Sequence, residues 1–307
     1  MSFGQRLRRA TPPPGGPPEA VDEQHGRAVA DGAVADEVAV DAHLSVVDAW
    51  TPVDGVVLHA QIIGPTAGEV EPIVLLHGLG VSAASLSPLA GRLADRHTVL
   101  SCDLPGFGHS ASGEIWRTGR IADAVRQLLD ARGLARVVLA GHSYGCHVAA
   151  CLAARHPERV AALILMSPAF DRRFGSPLAQ MLRLTVDATM ERPSLVGGGI
   201  RDYLRAGPRR VLATLREAAG IPLDDLVAAA RSPVLIVRGS RDALTTARWA
   251  EDLRRSAAGP ARVAVVPRAA HALGHEAPGA VADAIDTFLG TLRAHPSRIA
   301  RGASPPG

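Results

Sequence analysis

Gly141-His142-Ser143-Tyr144-Gly145 reads G-x-S-x-G, a serine set between two glycines. The string alone is a weak signal, but its context is specific: the apolar run Val137-Val138-Leu139-Ala140 precedes it and a helical pattern over 143–155 follows. A sharp strand-to-helix turn strains the central residue and lifts its side chain above the carboxyl edge of a sheet. Small flanking residues let strand and helix come that close. Ser143 is therefore the candidate nucleophile, against the plainer reading of a helix-capping serine. His142, one peptide bond away, points elsewhere in such a turn and is read as packing or pocket lining.

A serine hydroxyl near neutrality needs a base within hydrogen-bond reach. Of twelve histidines, His271 and His275 follow the last apolar strand pattern, in Val265-Val266-Pro267-Arg268-Ala269-Ala270-His271. A residue just beyond a strand's carboxyl end shares the sheet edge with the serine turn, and His271 is the nearer of the two. Val237-Arg238-Gly239-Ser240-Arg241-Asp242 places a carboxylate just past the preceding strand. There it can orient the imidazole and stabilise the imidazolium. Asp171, beyond the run ending at Met166, is the competing acid. The order Ser143, Asp242, His271 is that of α/β-hydrolases, not of the chymotrypsin or subtilisin folds. Two backbone N–H groups complete the set as donors to a developing oxyanion: Tyr144, directly after the serine, and Leu79, in the His77-Gly78-Leu79-Gly80 turn that ends another strand.

These residues need a sheet with helices to position them. Leu44, Val46 and Trp50, then Val56 to Ala60 beyond Asp54-Gly55, read as two antiparallel strands around a turn. Strand patterns at 73–76, 98–100, 137–140 and 160–166 then alternate with helical patterns at 85–94, 121–131 and 143–155, as in a mostly parallel sheet. Between 170 and 231 the alternation stops in favour of helical patterns, which Gly197-Gly198-Gly199 is expected to split into two groups. It resumes with a strand at 234–237, a helix at 246–257, a strand at 263–266 and a helix at 281–292. The expected division is a Pro/Gly/Ala-rich tail over 1–38, an α/β core over 39–169 and 232–293, a helical cap over 170–231, and a C-terminal tail over 294–307.

The strings LLHGLG (75–80), DLPGFGHS (103–110), GHSYG (141–145), GSRD (239–242) and HALGHEAP (271–278) resemble those of the α/β-hydrolase superfamily, over about residues 50–290. The resemblance implies a mostly parallel eight-stranded sheet, with a helical cap between its sixth and seventh strands. It also implies a triad of Ser143, Asp242 and His271, oxyanion donors Leu79 and Tyr144, and a structural role for Asp103. Two positions depart from the common pattern: Cys146 stands where a second glycine often follows the elbow, and Ala270 where glycine often precedes the base. A serine at the elbow argues against epoxide hydrolases and haloalkane dehalogenases, which carry aspartate there.

Composition narrows the rest. The 33 basic and 30 acidic residues nearly balance, and the arginines are scattered, which gives no support to nucleic-acid binding. Cys102, Cys146 and Cys151 form no CxxC or Cys/His array, so no metal site, disulfide framework or cofactor is expected. The absence of an apolar leader or an 18-residue apolar run points to a cytoplasmic protein without a membrane segment. The expected activity is hydrolysis of an ester, thioester, lactone or carbon–carbon bond in a small, apolar molecule. A non-hydrolytic enzyme on the same scaffold, such as a cofactor-free lyase or a perhydrolase-like enzyme, is the main alternative, and a silent binding protein the weaker one. The partner is the small-molecule substrate, with self-association left open. Leu178, Met181, Leu182, Leu184, Met190 and Leu195 are candidates to line the cap's pocket or to hold the cap together.

Overall fold

The computed structural model describes residues 46–65, 71–171, 173 and 193–294. Eight strands form one sheet: β1 (Val46–Val53), β2 (Val56–Ile63), β3 (Ile73–Leu76), β4 (Val99–Cys102), β5 (Val137–His142), β6 (Val160–Met166), β7 (Val234–Gly239) and β8 (Ala261–Val266). Their spatial order is β1-β2-β4-β3-β5-β6-β7-β8. The β1/β2 and β2/β4 pairs are antiparallel and all the others parallel.

The central strands are apolar without interruption because both faces are covered. Along β3, Val74 and Leu76 enter one core cluster, while Ile73 and Leu75 enter the other. β7 divides the same way, with Val234 and Ile236 against Leu235 and Val237. This period of two assigns each residue a face. One face is packed by α1 (Ser87–Ala94), through Leu89 and Leu93, and by α9 (Pro278–Ala294), through Val281, Ile285 and Phe288. The other receives α2 (Thr118–Ala131), α3 (Gly145–Arg155) and α7 (Ala247–Ser256). In α2, Ile121, Val125, Leu128 and Leu129 recur at helical spacing and are all buried.

Because β4 and β5 flank β3 on opposite sides, successive crossovers diverge at β3. Between β6 and β7 the described residues hold α4 (Pro193–Ala206), α5 (Pro208–Ala219) and α6 (Leu223–Ala229). The glycine run at 197–199 does not divide this region, since α4 passes straight through it. The break falls at Gly207, whose φ of +84° ends α4, and Pro208 opens α5 with a φ already suited to a helix. A helical α8 (Leu273–Glu276), not anticipated from the sequence, lies between β8 and α9. No helix among the described residues is long and apolar enough to cross a membrane. Both expected tails, and the cap residues Leu178, Met181, Leu182, Leu184 and Met190, lie outside the described residues, as does the side chain of Leu195.

Candidate active site

Ser143 occupies the turn between β5 and α3, with a left-handed φ of +53°. For a non-glycine residue this is a costly conformation, held here by its surroundings. The Ser143 N–H donates to the Met166 carbonyl at 2.9 Å, so the β5–β6 ladder runs into the turn. Both flanking glycines are required by close approach: a Cβ on Gly141 would lie 2.2 Å from the Gly145 carbonyl oxygen, and one on Gly145 would lie 2.3 Å from that of Leu76. Cys146 is accommodated because its thiol turns into the core and donates to the carbonyls of Gly141 and Met166 at 3.1 and 3.4 Å.

His271 Nε2 is 2.9 Å from Ser143 Oγ, and both oxygens of Asp242 are 3.2 Å from His271 Nδ1. With Nδ1–H donating to the carboxylate, Nε2 is left to accept the serine proton. Asp242 and His271 are buried and Ser143 is partly exposed. The Asp242 carboxylate also accepts the Leu244 and Thr245 N–H groups at 2.9 and 2.8 Å. Burial alone would raise its pKa; the facing imidazole and the amide donors outweigh this and hold it well below the ordinary carboxylate range. Asp171, the competing acid, is instead clasped by the Arg173 guanidinium at 2.9 Å on each oxygen.

The loops carrying acid and base are knitted together. The Arg241 N–H donates to the Ala269 carbonyl at 2.9 Å and the Arg268 N–H to Ser240 Oγ at 2.8 Å. Ala270, where glycine is common, is buried, and its N–H donates to the Glu276 carboxylate at 2.8 Å. Glu276 thus anchors the loop from α8, and neither the spacing nor the local pattern of the sequence pointed to it.

On the other side of Ser143, a Cβ on Gly78 would lie 3.3 Å from Ser143 Cβ, so the turn bearing Leu79 lies directly alongside the hydroxyl. His77 braces this turn: its Nε2 accepts the Leu104 N–H at 3.0 Å while Nδ1–H donates to the Gly78 carbonyl at 2.8 Å. Among the loop and turn hydrogen bonds of the described residues, the amides of Leu79 and Tyr144 donate to no other acceptor. His142 does more than pack. Its Nε2–H donates to the His271 backbone carbonyl at 2.9 Å, and the two rings lie 5.3 Å apart. Burial, aided by the neighbouring imidazole, lowers its pKa to about 4, so it is a neutral donor. With the partners 129 positions apart, no local pattern could have revealed this bond.

Residues 71–203 match the family model described as alpha/beta hydrolase fold, and residues 216–298 match the one described as TAP-like protein. The chain is 32% identical to a pimeloyl-[acyl-carrier protein] methyl ester esterase of Chromobacterium violaceum, over 69% of this chain and 92% of that protein. To the protein of the same name from Neisseria meningitidis it is 29% identical, over 66% of this chain and 87% of that one. A thermophilic esterase from Thermogutta terrifontis superposes with a TM-score of 0.65 at 25% identity, covering 81% of this chain and 99% of that structure. The enol-lactonase from Burkholderia xenovorans shares the fold, with a TM-score of 0.66 at 22% identity over 78% and 99% of the two chains. With this sheet, these matches and a relative of that identity over nearly its whole length, the chain is an enzyme of the α/β-hydrolase family.

Proposed function

We propose that the chain hydrolyses carboxylic esters with a small, apolar acyl group, through an acyl-enzyme on Ser143. The observation that carries this reading is the 2.9 Å contact between Ser143 Oγ and His271 Nε2, with Asp242 on the far ring nitrogen. Ser143 Oγ attacks the carbonyl carbon as its proton passes to His271 Nε2. The negative charge on the carbonyl oxygen falls to the Leu79 and Tyr144 N–H groups, where each donor contributes about 10²–10³ in rate. The imidazolium returns the proton to the leaving alkoxide, which departs as an alcohol. Water then gives a proton to His271 and attacks the acyl carbon, releasing the acid and restoring the hydroxyl. Asp242 stays ionised throughout and keeps His271 in the tautomer both steps require.

The esterase names of the relatives favour an ester over a thioester, lactone or carbon–carbon bond, all of which the same acyl-enzyme chemistry serves. A cytoplasmic enzyme that needs no cofactor or metal ion for this chemistry completes the reading. The test is labelling of Ser143 by a fluorophosphonate, followed by turnover of p-nitrophenyl esters of short acids with stoichiometric release of the acid. Labelling without acid release would point to the lyase or perhydrolase-like alternative. An unlabelled serine in the folded protein would sink the nucleophile assignment.

A further inference from the structure

Outside the triad, β2 and the loop after β4 bring two imidazoles and a carboxylate together. His59, in β2, and Asp103, the first residue beyond β4, are buried, whereas the His109 side chain is 55% exposed. His59 Nδ1 and His109 Nδ1 lie 2.9 and 3.3 Å from the same oxygen, Asp103 Oδ2. The three atoms fall within 4.8 Å of one another, the one such grouping among the described residues. Donors bound tetrahedrally to a small ion at about 2.0–2.1 Å stand about 3.3 Å apart, close to the 2.9 and 3.3 Å between Asp103 Oδ2 and the two imidazole nitrogens.

The surroundings prepare these atoms. Asp103 Oδ1 accepts the Ala83 N–H at 2.8 Å, which leaves Oδ2 toward the imidazoles; Oδ2 also accepts the His109 N–H at 2.9 Å. Gly108, at a φ of +55°, brings the loop so close that a Cβ there would stand 2.2 Å from the Asp103 carboxylate. Behind His59, Asp48 Oδ1 lies 3.0 Å from Nε2. With Nε2–H donating to Asp48, a divalent ion would replace the proton that His59 Nδ1 shares with Asp103 Oδ2, the carboxylate–histidine arrangement that orients metal-binding imidazoles. The carboxylates of Asp48 and Asp103 supply negative charge that a divalent cation balances. The exposed side at His109 leaves room for water as a further ligand.

We propose that His59 Nδ1, Asp103 Oδ2 and His109 Nδ1 form a site for one divalent first-row transition ion, with Asp48 orienting His59. Two imidazoles and one carboxylate match Zn²⁺ and disfavour Mg²⁺, which takes oxygen ligands. The ion fastens the 103–109 loop to β2. It takes no part in chemistry at Ser143, although the Leu104 N–H to His77 contact joins this loop to the Gly78 turn.

The test is calorimetric titration of the full chain, freed of metal by chelator, with Zn²⁺ and separately with Mg²⁺. The variants are His109→Ala, Asp48→Asn and, as a control at another histidine, His156→Ala. One Zn²⁺ per chain is expected, with no Mg²⁺ binding. Affinity should fall at least tenfold in His109→Ala and about 10–100-fold in Asp48→Asn, and stay unchanged in the control. Co²⁺ loading should give tetrahedral visible absorption that His109→Ala abolishes, with unchanged circular dichroism showing that the variant is folded. Failure of the folded wild type to bind Zn²⁺ stoichiometrically would overturn the proposal. So would equal binding of Mg²⁺, or full affinity in His109→Ala.

Discussion

The rim of the sheet that carries Ser143, Asp242 and His271 and the helices between β6 and β7 are built on different principles. At the rim, backbone groups of the site loops are each engaged at short range: two amides donate to Asp242, the Ala270 N–H donates to Glu276 and the Arg241 N–H to the Ala269 carbonyl, and the elbow glycines press onto carbonyls. The inserted helices are fastened to the core by side chains. Ser82 donates to Asp202 at 2.6 Å, Arg210 to the carbonyls of Ser112 and Glu114, and the Thr118 N–H to Glu217 at 3.0 Å. Ile200 and Leu204 of α4 are 56% and 70% exposed, against 5% and 3% for Asp242 and His271. An ångström of misplacement can cost about 10²-fold in rate, so the rim is over-determined. The inserted helices contribute no residue to the contacts among Ser143, His271 and Asp242. Rim substitutions should therefore act on kcat, and substitutions at the fastenings on KM.

The largest effect is expected from Ser143→Ala, with kcat for a p-nitrophenyl ester falling by about 10⁴–10⁶ while the unfolding midpoint stays put. Asp242→Asn should cost about 10⁴ in kcat, since the amide no longer enforces the tautomer. It also gives a pH signature. The folded carboxylate's pKa lies below the unfolded value of about 3.9, so its charge adds stability above that pH and loses it as pH falls through the folded value. In urea melts the wild-type advantage over Asp242→Asn should be full at pH 7 and shrink below about pH 4. An advantage independent of pH would remove the charge from the account.

Next comes Gly145→Ala, whose methyl would meet the Leu76 and His77 carbonyls at 2.3 and 2.7 Å. Backbone cannot swing aside as a side chain can, so about 1–3 kcal/mol of stability and about 10²-fold in kcat should go together. His142→Ala leaves the buried His271 carbonyl without its donor, and about tenfold in kcat is expected, partly restored by His142→Gln. With the His142 pKa at about 4, that ring is neutral from pH 5 to 8, so wild-type kcat/KM should rise with pH through one ionisation, that of His271. Two resolved ionisations in that range would contradict the neutral-donor assignment. The smallest effect belongs to Asp202→Asn, with KM for longer acyl esters changed about two- to fivefold and kcat held within twofold. A larger loss in kcat than in KM would erase the contrast between rim and helices.

Legibility followed local pattern. Strands such as Val160–Met166 announce themselves by unbroken apolar runs, and α2 by its helical period, because covering a strand on both faces or a helix on one constrains composition directly. The candidate serine, acid and histidine were singled out by their places just past strand ends. The glycine run in α4 misled because helix propensity is a weak local preference that long-range packing overrides. Glu276 on the Ala270 amide, His142 on the His271 carbonyl and the meeting of His59 with Asp103 had no local signal, the last two linking residues 129 and 44 positions apart.

From the chain alone followed the alternation of strands and helices and the residues able to serve as nucleophile, base and acid. These are written in periodicity and in residue type at element ends. Only the folded molecule decided the φ of +53° at Ser143, the 2.9 Å separation of His271 from it, and which buried groups hold that ring in place. The physical reason is that hydrogen-bond geometry between remote segments depends on how the sheet brings their loops to one edge, and no pattern within a segment encodes that distance.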